Sequence, residues 1–230
     1  MGNIQENLAG VRQRIEAACR RAGRPATSVR LVAVSKTFAA EAVQNAAAAG
    51  QQVFGENRIQ EAATKIEALR SANLRWHLIG HLQSNKARKA VELFDLIESI
   101  DSLELAARVS DIAGKLGKRM PVLLQVHLGN EETKHGFDPE QLREQLPELL
   151  AFPHMDVRGL MAIPPFLEDP EKVRPYFLQL RTVRDRWNAE NPSLVLTELS
   201  MGMSSDFEVA IEEGATLIRV GTGVFGKRGG

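Results

Sequence analysis

The sequence contains a single cysteine, Cys19, among its 230 residues. One cysteine cannot form an internal disulfide bond, and no group of cysteines is present that could hold a zinc ion. Such a chain is typical of a reducing compartment. Cys19 follows Ala18 in an amphipathic stretch, so we expect a buried core thiol rather than a nucleophile.

The sequence also lacks an excess of charge. It carries 29 Lys+Arg and 29 Asp+Glu, so the formal net charge is zero. Nucleic-acid binding requires clustered basic residues, and we therefore expect no nucleic-acid partner. The shares of hydrophobic residues (43%) and charged residues (25%) are those of an ordinary globular protein, which excludes a disordered or collagen-like chain.

Long apolar runs are missing as well. No window approaches the ~20 apolar residues of a membrane span. The N-terminal segment carries charges throughout, which argues against a secretory signal. We therefore expect a cytoplasmic protein with no membrane partner. Nothing resembles a coiled-coil seam, and we expect a monomer.

What the sequence does contain is an alternation of short apolar runs and helical stretches. Apolar residues from Ile4 to Ala22 recur at helical spacing and predict a first helix, which Gly23 and Pro25 end. Eight apolar runs then predict strands, at 29–35, 52–55, 75–80, 94–99, 122–128, 155–163, 194–200 and 216–221. Helical stretches separate these runs, at 39–49, 58–72, 85–93, 103–116, 139–150, 170–190 and 206–213.

This alternation predicts an α/β fold. Runs such as 31–34 and 122–124 are continuously apolar, which is typical of parallel strands covered by helices on both faces. Eight such units in roughly 200 residues predict a single (β/α)8 barrel of the TIM type with an extra N-terminal helix. A doubly wound open sheet remains the alternative, because periodicity does not establish closure. No linker-like segment divides the chain, and we expect one domain over residues 1–230.

Lys36 is the first candidate for chemistry. In a parallel barrel the functional residues lie at the carboxyl ends of the strands, and Lys36 directly follows the first strand. A lysine in a partly dry barrel mouth loses solvation of its ammonium ion, and the neutral amine can form a Schiff base with an aldehyde or ketone. The alternative is a surface lysine just beyond a strand.

The last two corners predict a phosphate site. Residues 221–226 match G-x-G-x-x-G, but too little chain follows for a dinucleotide-binding unit. Residues 200–205 supply hydroxyls and a glycine before a helix. Loops after strands seven and eight of barrels often bind phosphate, although serine caps and turn glycines would also explain both segments. A Schiff-base lysine with a phosphate cradle predicts pyridoxal 5′-phosphate (PLP), with aldolase sugar phosphates as the competing class.

The histidines predict no metal site. His77 and His81 lie four residues apart, but the segment reads as a strand and lacks the glutamate of H-E-x-x-H. His127, His135 and His154 are scattered without ligand spacing.

Several motifs resemble the pyridoxal phosphate homeostasis protein family. They are VAVSKT at 32–37, FGEN at 54–57, WHLIG at 76–80, LQSNK at 82–86, GLMAIP at 159–164, LSMGMS at 199–204 and RVGT at 219–222. The resemblance runs in order from about Leu8 to Gly226. It implies the fold of the alanine racemase N-terminal barrel and bound PLP. It also implies a carrier or regulator of vitamin B6 and amino-acid pools without established enzymatic turnover, with PLP-dependent apo-enzymes as partners.

The resemblance also implies roles for individual residues. Lys36 would form the Schiff base, Asn57 would line the pocket near the ring, and Arg219 would face the pyridine nitrogen. The phosphate would be held by Ser200, Met201, Ser204, Gly221 and Thr222. A permanently charged guanidinium keeps the nitrogen unprotonated, so the ring is a poor electron sink. Lys134 resembles a second family lysine, a secondary attachment point for PLP.

Two positions depart from the family pattern. Phe38 stands where many members carry a lysine, which weakens any transfer of PLP through that position. His81 stands where a proline is frequent, and we expect it to alter only the local loop.

An alternative function is a weak amino-acid racemase on the same barrel. Racemisation needs a second acid or base on the opposite face of the cofactor, which related racemases supply as a tyrosine from an added domain. The only tyrosine here, Tyr176, falls in the helix predicted at 170–190. We therefore do not expect efficient racemisation.

Overall fold

The structure is a computed structural model that describes residues 3–129, 135–191 and 194–226. Its strands are β1 Arg30–Val34, β2 Val53–Glu56, β3 Arg75–Leu78, β4 Leu96–Ile100, β5 Met120–Gln125, β6 Met155–Met161, β7 Glu198–Ser200 and β8 Leu217–Val220. All pair in parallel in chain order, and β1 also pairs with β8. The predicted barrel is therefore confirmed, and the open sheet is excluded because both of its edges would have been unpaired.

Helices surround the barrel. They are α1 Ile4–Arg21, α2 Ala40–Ala48, α3 Ile59–Ala68, α4 Ala87–Leu93, α5 Leu103–Lys115, α6 Pro139–Ala151, α7 Arg174–Glu190, α8 Phe207–Glu212 and α9 Thr222–Phe225. Ser102 and Asp138 cap α5 and α6 with side-chain oxygens, as their position before the helices leads one to expect. Among the described residues, no helix combines the length and apolar character that a bilayer span requires.

The extra helix α1 covers the closing strands from outside. Its Leu8, Val11 and Ile15 are buried at the helical spacing seen in the sequence, and α1 packs against α2, α8 and α9. Cys19 is also buried on this face, as expected for a core thiol.

The barrel interior is filled by side chains. Val32, Leu96, Leu123, Met161 and Leu217 form an apolar cluster to which only strands contribute. They account for the continuous apolar runs, because the neighbouring residues of each strand face the helices instead. This packing leaves the carboxyl ends of the strands as the open end of the barrel.

The strand pairing of the barrel is shortest between β7 and β8. The strand predicted at 194–200 is reduced to Glu198–Ser200. The side chain of Asn188 binds both backbone groups of Leu196 instead. It accepts from the N–H of Leu196 at 2.9 Å and donates to its C=O at 3.0 Å. Only Ser200 and Leu217 form a register pair between β7 and β8. A second difference lies after β8, where the predicted loop contains the single helical turn α9.

Candidate functional site

A cavity of about 250 Å³ lies at the carboxyl end of the barrel. Six of the predicted site residues line it, namely Lys36, Asn57, Ser204, Arg219, Gly221 and Thr222. The remaining lining residues are Val34, Phe38, Ile79, Ile163 and Met203, which sequence reasoning did not assign to a site. All five are apolar residues at or beyond strand ends, and two sequence signals pointed to them: the position of the strand ends and, for all but Phe38, the family motifs that contain them.

Lys36 lies in a turn of unusual backbone geometry. The N–H of Phe38 donates to the C=O of Ser35 at 3.1 Å, which places Lys36 and Thr37 at the centre of the turn. Thr37 has φ of 70°, a left-handed conformation that is rare for a β-branched residue. Among the described residues, no hydrogen bond or ion pair engages the amine of Lys36, which is half-buried in the cavity wall.

A second lysine, Lys65 of α3, holds this turn from beneath. Its Nζ is buried and donates to the C=O of Ser35 at 2.7 Å and to Oε1 of Glu61 at 2.6 Å. Glu61 in turn accepts the N–H of Thr37. The backbone on both sides of Lys36 is therefore fixed by Lys65 and its partner, and the strained conformation of Thr37 is maintained by this network.

Lys65 also neutralises Glu56, which is fully buried at the end of β2. Oε1 of Glu56 accepts from Lys65 Nζ and from the hydroxyl of Ser35, both at 2.6 Å. Burial raises the pKa of Glu56 above its ordinary value, although the hydrogen bonds from Lys65 and Ser35 oppose the shift. Its Oε2 is buried without a hydrogen-bond partner among the described residues.

Asn57 presents an unused acceptor on the β2 side of the cavity. Its Oδ1 is buried and has no hydrogen-bond partner among the described residues. Gly80 packs directly against it, since a Cβ at position 80 would lie 2.4 Å from the C=O oxygen of Asn57. A glycine is therefore required at 80, and Asn57 is held where its side chain can bind a ligand.

The corners after β7 and β8 converge on Ser204. Its Oγ accepts from the N–H of Gly221 at 3.3 Å and from the N–H of Gly223 at 3.5 Å. Both distances are long for hydrogen bonds, so these N–H groups remain available to a stronger acceptor such as a phosphate oxygen. Gly202 allows the tight approach of the β7 corner, because it has φ of +90° and a Cβ there would lie 2.5 Å from Cβ of Ala210.

Arg219 forms the floor of the cavity and belongs to a buried polar network. Its guanidinium donates to the hydroxyl of Ser200 at 2.5 Å and to the C=O of Ala162 at 2.8 Å. The hydroxyl of Ser200 donates to Oε2 of Glu98 at 2.6 Å, and Nδ1 of His77 lies 2.7 Å from Oε1 of Glu98. His77 is therefore a structural histidine.

The charges of this network stabilise one another. Burial alone would raise the pKa of Glu98, but the hydrogen bond from His77 and the charge of Arg219 outweigh it and hold the pKa below its ordinary value. Burial lowers the pKa of Arg219, and Glu98 and Asp206 oppose that shift. A guanidinium stays protonated under such conditions, so the cavity floor carries a fixed positive charge.

Ser200 and Met201 do not line the cavity. Both are fully buried. The hydroxyl of Ser200 is taken up by Glu98 and Arg219, and the N–H of Met201 donates to the C=O of Leu217 at 3.1 Å. Their role in holding a phosphate stays a prediction, one that their positions do not support.

Three other residues raised by the sequence have different outcomes. Phe38 lines the cavity and stacks on Phe225 with ring centroids 4.9 Å apart, so an aromatic surface occupies the place of the family lysine. Tyr176 lies in α7 and is not among the lining residues. Lys134 lies outside the described residues.

Known proteins resemble this chain over nearly its full length. Residues 7–229 match the family of the alanine racemase N-terminal domain. The pyridoxal phosphate homeostasis protein of Aquifex aeolicus is 47% identical, covering 98% of this chain and 99% of that protein. The protein of the same name from Synechocystis sp. is 46% identical, covering 87% of this chain and 92% of that protein.

A solved structure is also similar. PipY of Synechococcus elongatus PCC7942, a structure with PLP bound, is 48% identical with a TM-score of 0.87. The match covers 97% of this chain and 100% of the PipY chain. The likeness in sequence and in fold therefore extends over the same residues.

Proposed function

The chain belongs to the pyridoxal phosphate homeostasis protein family, on the fold of the alanine racemase N-terminal domain, and from that premise we propose that it binds PLP in the cavity around Lys36 and serves PLP homeostasis. The observation that carries the proposal is the shared cavity of Lys36 and the Ser204 corner. An amine and a set of weakly engaged N–H groups on one small cavity suit a ligand with one aldehyde and one phosphate.

The residues present fit this cofactor. Bound PLP supplies an aldehyde that an amine can capture and a ring that can act as an electron sink. The volume of about 250 Å³ is close to the lower end of ligand pockets, which begin at about 300 Å³, and suits a single-ring molecule. Ile79, Ile163 and Phe38 provide apolar contact for a ring.

We assign the attachment to Lys36, which would hold the cofactor through its amine, the group that condenses with an aldehyde with loss of water. Ser204, Gly221 and Thr222 hold the phosphate, and Asn57 offers an acceptor beside the ring. Ser200 acts on Arg219 from beneath the cavity, and Met201 fixes the strand end that carries these corners. These roles rest on the position of each residue and on the family motif that contains it.

Arg219 sets the chemistry. Its guanidinium would donate to the ring nitrogen of the bound cofactor and keep that nitrogen unprotonated, which would disfavour carbanion chemistry. Among the described residues that line the cavity, none is a tyrosine, cysteine or histidine that could act as a second acid or base. We therefore propose a carrier over residues 1–230 that passes PLP to apo-enzymes, rather than a racemase.

The test is PLP loading of the full chain. Wild-type protein freed of unbound PLP is expected to show the yellow absorption of a lysine Schiff base, and Lys36→Ala is expected to lose it. Lys89→Ala, which removes an exposed lysine of α4, is the matched control and should load like wild type. Borohydride reduction and peptide mapping should locate the modification on Lys36.

Two outcomes would overturn the proposal. Lys36→Ala could keep the absorption, with the label on another lysine, which would remove Lys36 from its role. Purified protein could also racemise alanine or serine at ordinary enzyme rates, which would replace the carrier by the racemase.

A further inference from the structure

A second cavity, of about 220 Å³, adjoins the first and shares Ile79 and Ile163 with it. His81, His127 and His135 line it. They belong to corners after β3 and β5, and Asp101 follows β4 between them. Three neighbouring strands therefore direct imidazole and carboxylate groups to one place.

The donor atoms of three of these residues are close together. Nδ1 of His81 lies 2.8 Å from Oδ2 of Asp101, and Nδ1 of His135 lies 3.8 Å from the same oxygen. One ligand atom from each residue lies within 4.8 Å of the others. The rings of His81 and His135 are stacked, with centroids 3.7 Å apart and planes inclined by 10°.

The backbone beside each of the two histidines is anchored. The hydroxyl of Ser99 donates to the C=O of Gly80 at 2.6 Å, which holds the corner before His81. The amide of Gln125 donates to the C=O of His135 at 2.8 Å. The backbone beside both histidines is thus held by contacts outside the three side chains, which leaves the imidazole rings free to rotate towards an ion.

A hydrogen-bonded trio does not account for this geometry. Both histidines turn Nδ1 towards one carboxylate oxygen, but 3.8 Å is too long for a hydrogen bond from His135. Protonation of both rings would place two positive charges in contact across the stack. A divalent cation would bind Nδ1 of each neutral imidazole. No repulsion between the rings then arises, because neither ring carries a proton charge.

We infer that His81, Asp101 and His135 form a binding site for a divalent transition metal such as Zn²⁺. Zinc–ligand bonds of about 2.0–2.2 Å place tetrahedral ligand atoms about 3.3–3.5 Å apart. The carboxylate oxygen of Asp101 already lies near this range from both Nδ1 atoms, but the two rings are stacked, so one imidazole must rotate out of the stack before both lone pairs point at one ion. Two imidazoles and one carboxylate form a donor set of zinc and other late transition-metal sites.

The surroundings fit an ion that enters from solvent and keeps an open position. The side chains of His81 and His135 are 39% and 58% exposed, whereas that of Asp101 is 9% exposed. Three protein ligands leave a fourth position for water or a small ligand. Nε2 of His127, which lines the same cavity, is buried without a partner among the described residues and can bind that ligand.

The test is binding of Zn²⁺ to the full, tag-free chain, measured by competition with a chromophoric chelator. One equivalent is expected to bind. Loss of a residue that only supports a metal ligand costs about 10–100-fold in affinity. Loss of a ligand itself should cost more, so His81→Gln, His135→Gln and Asp101→Asn should each weaken binding of Zn²⁺ about 100-fold or more. Co²⁺ bound to wild type should give the visible absorption of a four-coordinate site with nitrogen and oxygen ligands. The three ligand variants should lack this absorption.

His154→Gln is the matched control, because His154 is exposed and precedes β6 at the opposite end of the barrel. It should bind Zn²⁺ like wild type, and far-ultraviolet circular dichroism should show that every variant is folded. The inference fails if wild type binds no stoichiometric zinc, if the three ligand variants bind like wild type, or if His154→Gln weakens binding equally. Because PLP loading is measured separately, failure here leaves the proposed function intact.

Discussion

The guanidinium of Arg219 and the carboxylate of Glu98, both buried inside the barrel, lie 4.0 Å apart and are joined by the hydroxyl of Ser200. The network connects the cavity floor to the barrel interior. Its charges compensate each other only while all members are present, because a buried charge that loses its partner keeps its desolvation cost.

Glu98→Gln is therefore expected to destabilise the protein. Arg219 would remain buried and lose the stronger of the two negative charges that oppose its desolvation, with Asp206 left, and removal of one partner of a buried ion pair costs about 3–5 kcal/mol. Urea unfolding at neutral pH measures the change. Glu104→Gln removes an exposed carboxylate of α5 and is expected to change the free energy of unfolding by no more than about 0.5 kcal/mol. Equal stability of the two variants would contradict the compensation.

The pH dependence of the Glu98→Gln effect has a defined sign. The folded state lowers the pKa of Glu98, so its carboxylate contributes stability above the unfolded value of about 4.3 and loses it as the pH falls through the folded value. The difference in unfolding free energy between wild type and Glu98→Gln should therefore be full near neutral pH and shrink in acid. Urea titrations at a series of pH values measure it. A difference that grows towards low pH would reverse the assignment.

Thr37→Gly is expected to stabilise the protein slightly. The left-handed conformation costs a non-glycine residue about 1–2 kcal/mol, which glycine would not incur. Against this, glycine has more conformational entropy in the unfolded chain, which lowers the free energy of unfolding by about 0.5–1 kcal/mol. The net gain is about 0–1.5 kcal/mol, centred near 0.7 kcal/mol, and is measured by thermal or urea unfolding. Thr27→Gly in the turn Ala26–Ser28, where φ is ordinary, should instead lose stability. A loss in both variants would mean that Thr37 is not strained.

Two glycine substitutions should have opposite effects. Gly202→Ala introduces a Cβ that meets Ala210 and Phe207 at a positive φ, and we expect a loss of about 3 kcal/mol together with weaker PLP binding. Gly10→Ala lies inside α1 with open space around the new methyl group, and should gain about 0.5–1 kcal/mol. Chemical unfolding and PLP titration of both variants check the pair. A tolerated Gly202→Ala would show that the β7 corner can shift.

The sequence predicts the barrel well because its signal is local. Each strand is a short apolar run bounded by a polar corner, and eight such units favour a barrel, whereas closure itself is shown only by the pairing of β1 with β8. The site residues Lys36 and Gly221 were located by the same logic, since they directly follow strands. The strand at 194–200 was predicted too long because a side chain eight residues earlier intervenes: Asn188 binds the backbone of Leu196 in place of the predicted strand pairing.

Polar partners within the barrel were beyond prediction. Lys65 reads as an ordinary helix position, and its burial beneath Lys36 depends on Glu56 and Glu61 meeting it in three dimensions. Ser200 and Glu98 are 102 residues apart, and no periodicity relates them. No ligand spacing along the chain marks the cluster of His81, Asp101 and His135, because these residues come from three separate corners that meet only in the folded barrel.

The single register pair between β7 and β8 has a consequence for local unfolding. The β7–β8 pairing is shorter than that of β5 and β6, which pair along six residues, so amide hydrogens between β7 and β8 should exchange with solvent sooner than those between β5 and β6. The corners proposed to grip the phosphate follow these same two strands. A bound phosphate would therefore connect the ends of β7 and β8. Protection of these two strands from deuterium exchange should rise on cofactor loading more than that of any other strand of the barrel.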